Sequence, residues 1–372
     1  MKFLVNTNTL LKHLGSVQGV IPSNPLVPIL ENFLFDIRNG LLSVTASDLQ
    51  TTVITQLAVN ADGEGSICIP AKMLTDTLKN LPEQPVTFHI DFNTYSLEIV
   101  SDNGRYKIAC ENASDFPKVP ELHKAESLEV STQLISLAIN YTLFATSTDE
   151  MKPALNGILF KFQKGIANFV SSDSHRLIRY RYEGISQDVE ASFIVHRKAM
   201  QILRNALPSE NVVLVMEFNA SNAMFSFGNY KMICRLIDER FPDYENVIPL
   251  KNNNLITIDR QELIGCLKRL NIYANKTTNQ VRFKISGNEM QVSAEDLDFS
   301  NEAIERLFCE HDGPEIEIGF NAKFLLEMLN NLHSTSVTFR LSEPSRAGIV
   351  VPSKSEDDVL MLIMPIMLHN YA

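Results

Sequence analysis

The sequence predicts an α+β protein of three similar domains, each an antiparallel sheet with helices on one face. Three observations point there: an internal repeat of about 124 residues, two helix-periodic stretches in every repeat, and β-rich hairpins between them. Helices that recur beside short strands, rather than alternating one for one with them, favour sheet covered on one side.

Each repeat opens on a helix. Leu10, Leu11, Leu14 and Val17, then Leu134, Ile135 and Ala138, then Leu263, Ile264, Leu267 and Leu270 follow i, i+3, i+4 spacing. The third stretch begins with Asp259 and, three residues later, Glu262, a capping-box pattern. A hairpin follows in each copy: 33–37 with 42–46 around Asn39-Gly40, 158–162 with 167–170 around Lys164-Gly165, and 281–285 with 290–293 around Gly287-Asn288. Asp48, Asp173 and Asp296 stand at matching places after these hairpins. Second helices are expected from Ala71, Arg197 and Ala322, and strands after them at 86–88, 212–214 and 337–339. The first two repeats end alike, in Asp115-Phe116-Pro117 and Phe241-Pro242-Asp243. Polar or proline-bearing linkers near 118–127 and 249–255 set the expected domains at 1–120, 127–250 and 255–372, of ordinary domain size.

Composition narrows the function classes. With 45% hydrophobic and 21% charged residues, the chain can fill real cores. No run of about 18 apolar residues exists to span a bilayer, and the apolar start at 3–5 turns polar at Asn6, so a cytoplasmic location is expected. Five scattered cysteines without a Cys-x-x-Cys pair read as reduced, mostly buried thiols. Phosphate-loop, nucleophile-elbow and zinc-protease motifs are absent, and the histidines lack metal-ligand spacing. Asp173-Ser174-His175 holds triad residue types, but consecutive residues do not point at one another as a triad must. No catalytic centre, metal or cofactor is expected.

Net charge is −11, which by itself argues against nucleic acid. Its distribution argues the other way. Helices at 7–20, 71–81, 131–145, 197–207, 259–270 and 322–332 hold ten basic residues: Lys12, Lys72, Lys79, Arg197, Lys198, Arg204, Arg260, Lys268, Arg269 and Lys323. Four acidic residues accompany them, so the helices carry +6 and the rest of the chain −17. Lys72, Lys198 and Lys323 recur near the start of the second helix, the wrong end for a cation on dipole grounds. Basic helices on an acidic body suit a surface that holds phosphates without reading sequence. A protein-only scaffold of three α/β repeats is the alternative, and the segregated charge is what separates the two.

Several segments carry a family resemblance: 26–30 (Leu-Val-Pro-Ile-Leu), 173–177 (Asp-Ser-His-Arg-Leu), 241–244 (Phe-Pro-Asp-Tyr) and 364–368 (Met-Pro-Ile-Met-Leu). With the threefold repeat, the whole chain resembles the bacterial sliding-clamp family, the β subunits of DNA polymerase III. That resemblance implies a DNA-clamp fold closing as a head-to-tail ring dimer, with helices lining the inside and antiparallel sheets outside. It implies a processivity subunit without catalysis that encircles double-stranded DNA and tethers the polymerase catalytic subunit, clamp loader and repair proteins through short linear motifs. Asn24 joins the ten helix cations as DNA-facing. The partner-peptide cleft is implied at Leu155, Ser172, Ser174, His175, Arg176, Leu177, Pro242, Val247, Asn321, Phe324, Leu362, Ile363, Met364, Pro365, Ile366 and Leu368. The dimer seam is implied at Tyr106 and Ile108 of one chain against Ile272 and Tyr273 of the other. Three features depart from the family pattern: Ser174 stands where glycine is usual, Met367 where a basic residue is usual, and 369–372 continue past the usual end.

Overall fold

The computed structural model describes residues 1–355 and 357–368, so the sequence feature at 369–372 lies outside the described residues. The chain forms two compact units, Met1–Ser136 with Lys198–Leu236, and Leu137–Arg197 with Ile237–Ala372. Residues of the middle repeat are shared between them.

All six helices form where the apolar spacing places them: α1 (Thr7–Gln18), α2 (Ala71–Lys79), α3 (Thr132–Thr142), α4 (Arg197–Ala206), α5 (Arg260–Leu270) and α6 (Ala322–Asn330). A short strand leads into the first helix of each repeat: Lys2–Asn6, Glu126–Ser131 and Asn254–Asp259. Its last residue is the cap. Asn6 Oδ1 accepts from the Asn8 and Thr9 amides, Ser131 Oγ from Leu134 N, and Asp259 Oδ1 from Glu262 N. These bonds satisfy amides that a helix start leaves without partners.

The two units share one plan. In the first, a nine-stranded antiparallel sheet runs Glu111–Asn112, Gly65–Pro70, Asn32–Arg38, Leu41–Ser47, Thr51–Ala58, Tyr230–Ile237, Asn222–Phe227, Val213–Phe218, Glu126–Ser131. In the second, nine strands run Ala191–His196, Gly157–Gln163, Ile166–Ser172, Arg176–Glu183, Asp358–Ile363, Gly348–Pro352, Ser336–Leu341, Asn254–Asp259, Glu310–Asp312. Each sheet joins strands of one repeat to strands of the next. A five-stranded sheet completes the first unit and ends on Arg105–Ala109; a four-stranded sheet completes the second and ends on Asn301–Phe308.

Alternation puts one face of each sheet under the helices. In the first unit Phe3 stacks on Phe88 at 4.6 Å, and Leu10 and Leu14 of α1 are fully buried with Phe33 and Phe35. In the second unit Phe160 packs on Phe169, and Phe283 packs on Phe320 and Phe339. Burying each such ring or leucine contributes about 1.5–3 kcal/mol.

The three matching aspartates close the hairpins by the same bond. Asp48 Oδ1 accepts from Gln50 N and Thr51 N, Asp173 Oδ1 from His175 N and Arg176 N, and Asp296 Oδ1 from Asp298 N. The residue after the first two sits in the left-handed region, Leu49 at φ 73° and Ser174 at φ 79°. That conformation favours glycine, so Ser174 stands where a glycine would be unstrained.

Candidate functional site

The residues expected in the peptide cleft all lie in the second unit, some buried and some exposed. Leu155, Leu177 and Leu362 are buried in one cluster with Leu159, Val170, Ile194, Phe241 and Tyr244. Leu177 and Leu362 face each other across adjacent strands. Of the other apolar residues expected there, Val247 is 56% exposed and Met364 45%, and Pro242 is also open. Ile363 is fully buried and, one residue along its strand, faces away from this side.

The strand Asp358–Ile363 is central, between Arg176–Glu183 and Gly348–Pro352, and it ends before Pro365. A proline there cannot donate to a ladder. The chain then runs beside the hairpin turn, with Met364 N donating to His175 O at 2.8 Å and Ile366 N to Gly319 O at 2.8 Å. A Cβ on Gly319 would come within 2.7 Å of Ile366 O and 2.8 Å of Leu368, so glycine permits this approach.

Two polar residues expected to greet a peptide are already engaged. Asn321 caps α6 through Oδ1, accepting from Lys323 N and Phe324 N, and its Nδ2 donates to Thr278 O. Arg176 is 6% exposed. Its Nε donates to Asp173 Oδ2 at 2.9 Å, its Nη2 to Phe144 O at 3.1 Å, and its Nη1 lies 2.6 Å from Glu327 Oε2. The guanidinium is sandwiched between Phe324 and Phe144, 4.6 and 5.2 Å from the ring centres. His175 is exposed and lies over Phe324 at 5.8 Å, and Ser172 Oγ donates to Arg176 O. Ser174 Oγ accepts from Lys152 Nζ at 3.2 Å. Phe144, Lys152 and Glu327 are site neighbours that sequence reasoning missed. Glu327 follows Phe324 by three residues, one turn on the same helix face, and that was the available signal.

The helix cations divide into open and engaged groups. Within their observed bounds the helices hold the same ten basic residues and three acidic ones, because Asp259 is a cap. Lys12, Lys72, Lys79 and Arg204 are exposed in the first unit, as is Asn24 in a loop; Lys268 and Lys323 are exposed in the second. Arg197 is half-buried. Lys198 pairs with Asp48. Arg269 is exposed but forks onto Glu305 through two 2.7 Å bonds, which hold the Glu305 carboxyl below its usual range. Arg260 is the most fully engaged: its Nε donates to Ser334 O and its Nη1 to Leu329 O, so the guanidinium braces α5 against the end of α6.

The expected seam residues also divide. Ile272 is 67% exposed, Tyr273 43% and Tyr106 38%, whereas Ile108 is 2% exposed and packs inside its own sheet. Beside Tyr106, a concave patch of about 380 Å³ is lined by Met73, Asp76, Thr77, Asn80 and Leu81. The strand Asn301–Phe308, absent from the sequence reading of the seam, carries the exposed Ile304 and Phe308.

Among the described residues no group of three or more His, Cys, Asp or Glu is placed to hold a metal, and no helix is long and apolar enough to cross a membrane.

Three family models match in turn along the chain. The N-terminal domain of the DNA polymerase III beta subunit matches residues 1–120, its central domain 129–243 and its C-terminal domain 245–367. The chain belongs to this family. It is 28% identical to the beta sliding clamp of Vibrio cholerae, over 99% of this chain and 100% of the relative. It is also 28% identical to that of Synechococcus elongatus, over 100% of both. The crystal structure of DNA polymerase III subunit beta from Pseudomonas aeruginosa superposes with a TM-score of 0.94 at 27% identity, over 99% of this chain and 100% of that one. A sliding clamp from Bartonella birtlesii, bound to griselimycin, gives 0.93 at 28%, with the same coverage. The chain is thus a sliding clamp of DNA replication, a non-catalytic subunit of the polymerase whose function resides in its surfaces.

Proposed function

We propose that two copies of this chain, each of domains 1–120, 127–250 and 255–372, close head to tail into a ring around duplex DNA in the cytoplasm. The exposed cations Lys12, Lys72, Lys79, Arg204, Lys268 and Lys323, with Asn24, face the phosphates, and clients dock at the cleft of Leu155, Leu177, Pro242, Val247, Leu362 and Met364.

One observation carries ring closure. Two junctions between repeats are strand pairs of identical register. Met232 faces Val53 and Cys234 faces Thr51 in the first unit; Met361 faces Ile178 and Ile363 faces Arg176 in the second. The repeats align through Phe88–Ile99–Tyr106, Met216–Phe225–Met232 and Phe339–Val350–Met361 on one side. On the other they align through Ser47–Thr52, Ser172–Leu177 and Glu295–Glu302. By this equivalence the third junction pairs Tyr106 with Ala303 of the second copy, Lys107 with its Glu302, and Ile108 with its Asn301. Pairing consumes two sheet edges that would otherwise invite uncontrolled association, and a heterologous contact that closes by rotation gives a ring. Ile272 and Tyr273 then lie near the concave patch beside Tyr106, and Ile108 supports the seam from beneath.

The open cations favour this reading over a protein-only scaffold. Because enclosure is topological, a loaded ring remains on nicked circular DNA through about 200 mM salt, where ordinary phosphate binding weakens by orders of magnitude. It leaves when the circle is cut. Equal loss from circular and linear DNA would overturn the reading.

A further inference from the structure

We propose that Glu327 is a positioning residue of the client cleft, acting through Arg176 to hold the Phe324 wall against the hairpin turn; this rests on the cleft reading above. Arg176 ties three chain segments together: its own turn through Asp173, the end of the α3 region through Phe144 O, and α6 through Glu327. The contacts differ in kind. Those to Asp173 and Phe144 are aligned hydrogen bonds to groups on nearby chain, whereas Glu327 Oε2 sits 2.6 Å from Nη1 as an ion pair without hydrogen-bond alignment, one turn along α6 from Phe324.

Phe324 lies one helical turn before Glu327, with one face on the guanidinium at 4.6 Å and His175 stacked at 5.8 Å with an interplanar angle of 28°. His175 O in turn holds Met364 N. The order of support is therefore Glu327, Arg176, Phe324, His175, Met364, ending on an exposed rim residue of the cleft. Arg176 is 6% exposed while the Glu327 side chain is 53% exposed, so the carboxylate reaches in from solvent to lie against a buried cation. Removing its charge leaves Arg176 paired with Asp173 and α6 packed through Ala322, Leu325, Met328 and Leu329, which preserves the fold, but frees the guanidinium to shift beneath the Phe324 ring. The two rings must then be ordered when a ligand binds. Ordering two side chains on binding gives about a tenfold loss of affinity.

The test compares full-length wild type, Glu327→Gln, Glu327→Asp and Met364→Asp by titration calorimetry with griselimycin, the ligand of the Bartonella relative. The His175 ring resonances are followed in histidine-labelled protein, because loss of the Phe324 ring current moves them and a general loss of stability does not. Expected are loss of binding in Met364→Asp, about tenfold weaker binding with shifted His175 signals in Glu327→Gln, and recovery of most affinity in Glu327→Asp. If Met364→Asp loses binding while Glu327→Gln binds like wild type or leaves His175 unmoved, the positioning role is wrong and the cleft stands. If Met364→Asp binds like wild type, the cleft reading fails and takes this inference with it.

Discussion

Reversing one charge at the seam should weaken the ring, and reversing its counterpart should restore it. The junction register puts Lys107 of one copy opposite Glu302 of the other. Each already has an acidic neighbour in its own sheet: Glu98 faces Lys107 and Glu295 faces Glu302. Lys107 therefore enters a row of three carboxylates. A directly opposed pair of unlike charges contributes about 0.2–1 kcal/mol, and like charges cost a similar amount. Lys107→Glu replaces attraction by repulsion, a change of about 1 kcal/mol at each seam. A ring has two seams, so dimerisation weakens by about 2 kcal/mol, or about 30-fold in Kd. Sedimentation at low salt reads this directly, and the effect shrinks as salt rises because these side chains are exposed and screened. Glu302→Lys should act in the same direction, and the double swap should return to within about 0.5 kcal/mol of wild type. If the two changes simply add, the residues do not face each other and the register is wrong.

Two further outcomes follow from local geometry. Ser174→Gly removes the cost of a left-handed serine at φ 79° and should stabilise the protein by up to ~1 kcal/mol in denaturant titration; destabilisation would mean that the Lys152–Ser174 bond outweighs the strain. Burial pushes the thiols of Cys68, Cys234 and Cys266 up to about 12 and that of Cys110 to about 11, so native protein at pH 8 should react with thiol reagents far more slowly than unfolded protein. Rapid labelling of all five in the native state would contradict the buried positions.

Helices were legible because their apolar spacing is strong and because α1, α3, α5 and α6 start on the helix-capping residues Asn6, Ser131, Asp259 and Asn321. Leu10, Leu14 and Val17 on α1 and Leu263, Leu267 and Leu270 on α5 are all buried as the period demands. The strands leading into those helices were missed because they are five or six residues long and bury few side chains; Glu126–Ser131 buries two. Asn301–Phe308 was missed for a different reason. Its sequence, Asn-Glu-Ala-Ile-Glu-Arg-Leu-Phe, is rich in helix formers, and its strand state comes from pairing along its whole length with Glu289–Asp296. The expected cleft rests on local motifs, at 173–177 and 364–368. Engagement of Arg176, Asn321 and Arg260 was not legible, because each bonds to chain that only the fold brings near. A sequence shows that a cation is present, while the fold decides whether its charge is available.

Ring closure around DNA is tested most directly by making the seam covalent. With Lys107→Cys and Glu302→Cys in one chain, oxidation after loading should join each seam, since the two positions face each other only between copies. A closed protein ring on an intact plasmid should then survive denaturing electrophoresis as a species that holds both protein and DNA, and should release the protein when the plasmid is linearised. Release of crosslinked dimer from intact circles under the same denaturing conditions would contradict encirclement.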